Sequence, residues 1–129
     1  MDIERDLQAR LDVIRSRVAA AAQRVGRRPE DVCIVAVTKT VPAERVVALA
    51  RLGVYRFGEN RVEEAAEKLP LVRALLGPVA FRAQRWVLIG HLQSRKAPWA
   101  IDLFDEIHSV DSARLAARAP MGASVDGYE

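Results

Sequence analysis

Ile3, Leu7, Leu11, Ile14, Val18, Ala22 and Val25 recur at spacings of three and four, which predicts an amphipathic helix. Gly26 and Pro29 mark its end. The pattern then changes. VCIVAV, Val32 to Val37, has no polar alternation, and a continuous run rich in β-branched residues fits a strand covered on both faces, as in a parallel sheet. Pro42 suits the first turn of a helix, where its missing N–H would have no partner anyway, and Gly53 supplies the stop after PAERVVALARLG. VYRFGEN reads as a short strand and a loop. Asn60 is a good N-cap, and Glu63 stands three residues on, as in a capping box. RVEEAAEKL is the next helix, closed by Pro70. Residues 71 to 85 are less periodic: LVRALL adds a short helix and GPVAFRAQR reads as a loop. WVLIG, Trp86 to Gly90, is another buried strand. HLQSRKAPWAIDLF begins as a loop and becomes helical, with Pro98 in an early turn. EIHSV, Glu106 to Val110, is a fourth strand, and Asp111 can cap SARLAAR.

The order is a helix followed by four strand–helix units, an α/β protein with a parallel sheet and right-handed crossovers. An open doubly wound sheet and a β/α barrel both fit. In either, sites form at the C-terminal ends of the strands. The polar residues just past each strand are Lys39, then Glu59 and Asn60, then His91 and Gln93, then Ser109 and Asp111. A parallel sheet puts all of them on one rim. Each also has a plainer reading: Asn60 as a helix cap, His91 as a surface loop residue, Glu59 as the partner of a nearby arginine. His108 lies within a strand and reads as structural. No glycine-rich loop of the P-loop or dinucleotide type occurs, which counts against a standard nucleotide-binding sheet.

Composition narrows the classes. A chain of 129 residues, half of them hydrophobic, makes one domain with a real core. No apolar run approaches the roughly 20 residues that span a bilayer. MDIERDLQAR is charged from its second residue and lacks the apolar core of a signal peptide, so a cytoplasmic protein is expected. The single cysteine, Cys33, excludes an internal disulfide, argues against a cysteine metal site, and reads as a small buried hydrophobe. The net charge of +3 invites a nucleic-acid reading, but IERDLQARLDVIRSR and ENRVEEAAEK interleave arginine with acid, the pattern of a solvated helix face.

The cations say more. Of 20 basic residues only three are lysine: Lys39, Lys68 and Lys96. Arginine keeps its proton, whereas a lysine amine can be neutralised and act as a nucleophile. A lysine at the end of a core strand, in so lysine-poor a chain, points to chemistry. A lysine amine, with a free pKa of about 10.4, must shed a proton to form a Schiff base with an aldehyde. The aldehyde this suggests is pyridoxal 5'-phosphate, whose ring is an electron sink.

VAVTKTVP, FGENRVEEAAEK and IGHLQSRK resemble successive motifs of the pyridoxal phosphate homeostasis proteins, and FDEIHSVDSARLA resembles the segment that follows them. Spacing and order agree from about residue 5 to 118. The resemblance implies an alanine-racemase-like β/α barrel with Lys39 holding the cofactor as a Schiff base, Asn60 beside it and His91 on the same rim. It implies a carrier that buffers or delivers the cofactor, with pyridoxal-phosphate-dependent apoenzymes as recipients, and not an enzyme with robust turnover. Such a barrel takes about 250 residues and eight strands. Residues 1–119 therefore read as the first half of one barrel domain, and 120–129 as a tail. Met121, Gly122 and Ser124 in that tail resemble the family's late phosphate-binding motif, which makes Ser124 a candidate phosphate ligand; an unrelated tail on a truncated chain is the alternative. A fragment of a racemase or decarboxylase, or a remnant that binds no cofactor, are the competing functions. The half-barrel reading also predicts exposed sheet edges, one of them the fourth strand, and self-association through them.

Overall fold

The computed structural model describes residues 3–108 and the short strand Ser124–Val125. Helix α1, Ile3–Arg24, is followed by β1, Val35–Val37, and α2, Ala43–Arg51. Then come β2, Arg56–Glu59, α3, Val62–Leu76, α4, Pro78–Ala83, and β3, Arg85–Leu88. Helix α5, Ala97–Leu103, and strand β4, Glu106–Ile107, complete the described run, and Ser124–Val125 forms β5. The Asp111 cap, the helix around SARLAAR, Ser109, Met121 and Gly122 lie outside the described residues.

The strands pair in parallel in the order β1-β2-β3-β4-β5. This order decides between the two architectures. A doubly wound sheet reverses its strand order at a switch point, whereas a barrel adds each new strand beside the last. Sequential addition with crossovers of one hand puts the helices on one face. Helix α3 duly packs against both α2 and α5. The sheet is part of a β/α barrel arrangement. One row of residues crosses all of it: Val37, Gly58, Val87, Glu106 and Ser124.

The two faces differ. Side chains alternate along a strand. Phe57, Trp86, Leu88 and Ile107 join Val46, Val47, Ala65, Leu69 and Val72 of the helices in one core. Phe57 stacks on Trp86 with ring centroids 5.0 Å apart. The other face carries Val35, Val37, Arg56, Gly58 and Glu106. There Arg56 pairs with Glu106 at 3.1 Å, and Val37 is 52% exposed.

Several local expectations fail for reasons of packing. Pro70 does not close α3 but lies inside it, because Lys68, Leu69 and Val72 bury their side chains on either side of the proline and hold both halves of the helix to the core. The segment read as a loop contains α4, which starts on Pro78 and anchors itself by stacking Phe81 on Trp86 at 5.6 Å. The first strand is shorter than its apolar run, starting at Val35. Cys33 consequently falls ahead of it and is exposed, not buried, with its sulfur 3.6 Å from the Tyr55 hydroxyl. Of the α1 stripe only Leu11 and Ala22 are buried. Strand β4 is not an edge: β5 pairs with it, so β1 and β5 stand at the two ends of the sheet. Gly53, at φ 97°, takes the left-handed conformation expected of a glycine just past a helix.

Candidate functional site

Because every strand pairs in parallel, the residues that follow them gather on one edge of the sheet. Val37 and Gly58 are register partners, so Lys39 and Asn60 each stand two residues beyond the same rung. Asn60 does not cap α3. The chain stays extended one residue longer, Arg61 takes the cap position at φ −133° and ψ 134°, and no side chain caps the helix. The Arg61 carbonyl accepts the Ala65 N–H instead, at 3.2 Å. The Asn60 side chain is left to a small cavity of about 190 Å³ that it lines with Arg61, Glu63, His91, Gln93 and Lys96. The β2 and β3 loops meet tightly here: a methyl group at Gly90 would collide with the Asn60 carbonyl, so only glycine allows the approach. Asn60 and His91 are therefore brought together as the sequence suggested.

Lys39 lies in the turn that leaves β1 and is exposed, outside the lining of that cavity. No hydrogen bond or ion pair holds its ammonium among the described residues. The other two lysines are paired. Lys96 meets Glu63 at 2.9 Å, and this hydrogen bond holds the Glu63 carboxyl below its usual range. Lys68 is 8% exposed and sits 3.0 Å from both Glu59 and Glu64. Ser124 shares its rung with Glu106; its backbone belongs to the sheet, while its side chain lies outside the description.

Glu59 is not a rim residue paired with an arginine. Its side chain points into the helix layer, fully buried, and its carboxylate is held by Lys68 and by the Thr38 hydroxyl. Lys68 Nζ also donates to the Thr38 carbonyl at 2.5 Å, and Glu64 accepts the Thr40 N–H at 2.5 Å. Burial works to raise the Glu64 carboxyl, but the Lys68 and Thr40 hydrogen bonds outweigh it, so the group titrates below the usual glutamate range. Sequence reasoning passed over Lys68 and Glu64. The signal was there: the lysine scarcity that singled out Lys39 applies equally to Lys68, and Glu64 stands four residues before it on one helix face.

An exposed amine on a strand-end rim suits an aldehyde, and the cavity on the same edge of the sheet offers the Asn60 amide and the His91 imidazole, with Arg61 and Lys96 both paired to Glu63. The residues present fit pyridoxal phosphate at the aldehyde end; the phosphate motif falls on residues 121–124, of which only the Ser124 backbone is described.

No protein-family model matches the chain. It is 35% identical over 113 residues to the pyridoxal phosphate homeostasis protein of Escherichia coli, covering 88% of this chain and 47% of that protein. The protein of the same name from Mycobacterium tuberculosis is 36% identical over 117 residues, covering 88% of this chain and 45% of the relative. The chain thus spans about half the length of the curated relatives it matches. Among solved structures, PipY of Synechococcus elongatus with PLP bound superposes with a TM-score of 0.63 at 38% identity, over 79% of this chain and 45% of that one. An unknown protein from Bifidobacterium adolescentis gives a TM-score of 0.80 at 30% identity, over 92% and 51% of the two chains.

Proposed function

We propose that the chain is a member of the pyridoxal phosphate homeostasis protein family, over the half of those proteins that it matches, and that Lys39 captures pyridoxal 5'-phosphate. The observation that carries this reading is the contrast among three lysines: Lys68 and Lys96 are engaged by glutamates, while the Lys39 amine stands on the strand-end rim without a carboxylate partner among the described residues. Lys39, once deprotonated, would hold the cofactor through the aldehyde that pyridoxal phosphate would supply, with loss of one water. The chain's own contributions are positional. Asn60 and His91, which line the cavity on the same edge of the sheet, would orient the ring, and Ser124 would meet the phosphate. The role that follows is to hold and hand on the cofactor, with pyridoxal-phosphate-dependent apoenzymes as recipients.

Purified chain mixed with pyridoxal phosphate should gain the near-ultraviolet absorbance of an imine, and borohydride should fix the adduct on the Lys39 peptide. Lys39→Ala should abolish both. Lys39→Arg should fail as completely, because a guanidinium keeps its proton. Added amino acids should release cofactor without racemised product. An adduct mainly on Lys68 or Lys96, or none at all, would overturn the reading; racemised product would favour the enzyme.

A further inference from the structure

Thr40 has a φ of 59°, in the left-handed region that a β-branched residue avoids. Such a conformation is strained and persists only where the surroundings over-determine it. The surroundings are unusual. The two peptide groups that flank Lys39 are each held by one polar cluster reaching up from β2 and α3. The Thr38 carbonyl, before Lys39, accepts from Lys68 Nζ at 2.5 Å. The Thr40 N–H, after Lys39, donates to Glu64 Oε2 at 2.5 Å. The Thr38 hydroxyl is tied to Glu59, and the Val41 N–H closes the turn onto the Thr38 carbonyl at 3.0 Å. Lys68 bridges the two carboxylates, so both ends of the turn are fastened to the same ammonium. A buried lysine with two glutamates is a costly thing to place in a core on stability grounds alone. We propose that Glu59, Lys68 and Glu64 are positioning residues, which fix the backbone on both sides of Lys39 and leave its side chain as the only mobile part of the turn. What that lysine does rests on the function proposed above; how its backbone is held does not.

Glu64 is the residue to change. Its side chain is 26% exposed, and Glu64→Ala leaves the buried Glu59–Lys68 pair in place. Two measurements are made on the full 129-residue chain: amide exchange of Thr40 by NMR, and cofactor capture at Lys39 by titration and borohydride trapping. Glu64→Ala should speed Thr40 exchange and weaken capture, each by about tenfold, the scale of one charge-assisted hydrogen bond. The urea midpoint should fall modestly, since the Glu64 carboxylate also adds to stability. Glu64→Gln keeps an acceptor for the Thr40 N–H and should restore most of both, which a loss of general stability would not explain. Unchanged Thr40 exchange in Glu64→Ala overturns the proposal, as does Lys39 capture at full affinity in that variant. If the unmodified chain traps no cofactor at Lys39, the functional reading falls, and the Thr40 exchange still decides the positioning.

Discussion

Lys39 and Lys68 are joined through one turn, yet their surroundings are opposites. Lys39 is exposed, with no partner for its ammonium among the described residues. Lys68 is buried and donates to Thr38, Glu59 and Glu64. Three N–H donors meet those acceptors, so the Lys68 amine has neither a lone pair to offer nor room for an aldehyde to approach. The contrast teaches that scarcity of a residue type marks importance without saying which kind. One lysine is kept for what its amine can reach; the other for what its charge holds in place.

Exchanging the two roles is the most severe test. Lys39→Ala should abolish capture and leave stability within about 0.5 kcal/mol of the unmodified chain, as for other exposed substitutions. Lys68→Met should do the reverse in order of cause. It strands Glu59, which is fully buried, without its counter-ion, and should cost about 3–5 kcal/mol in denaturant melts. Adding Glu59→Met to Lys68→Met should recover much of that stability, since an apolar pair replaces a buried ionic one. Capture should not recover with it, because the Thr38 carbonyl and hydroxyl would both have lost their partners. Full capture by the stable double variant would break the comparison.

A smaller effect follows from acid. The folded-state value of Glu64 is depressed, so its contribution to stability is present above the ordinary glutamate range, near 4.5, and is lost as pH falls through the folded value. Melts from pH 6 downward should lose stability below about pH 4.5, and Glu64→Gln should flatten that limb. Glu63 is shifted in the same direction by Lys96, but that exposed pair is screened, so its share should fade with added salt while that of Glu64 persists. An identical acid limb in Glu64→Gln would mean that the cluster does not tie the turn as described.

These contrasts also mark what was legible beforehand. Strand–helix alternation and the strand-end edge on which Lys39, Asn60 and His91 stand could be read because each depends on short-range pattern. What escaped depends on contacts across the sheet. Pro70 was read as a stop since local propensity says so, but Lys68, Leu69 and Val72 bury their side chains on either side of it. Helix α4 owes its place to Phe81 finding Trp86. Asn60 looked like a cap because Glu63 completes a familiar spacing, while the real cap position slips to Arg61. Glu59 looked like a rim residue until its parity was known: it shares a row with Leu88 and Ile107, which face the helices, and so it had to meet Lys68.

The subtlest prediction concerns Thr40 itself. Its hydroxyl bonds to the Lys39 carbonyl at 2.6 Å, so the residue can matter through its side chain or through its backbone. Thr40→Gly separates the two. Glycine reaches φ 59° without the Cβ penalty of about 1–2 kcal/mol, but loses about 0.5–1 kcal/mol through the greater freedom of the unfolded chain. The two terms nearly cancel, so stability should change by less than about 1 kcal/mol. The Thr40 N–H remains to bond Glu64, and capture at Lys39 should stay within about threefold of the unmodified chain. Thr40→Ala keeps the Cβ penalty, lacks the hydroxyl and should be the less stable of the two variants. Should Thr40→Gly lose capture as completely as Lys39→Ala, the threonine hydroxyl would belong to the site, and the line drawn here between the lysine that reaches and the cluster that holds would have to be redrawn through residue 40.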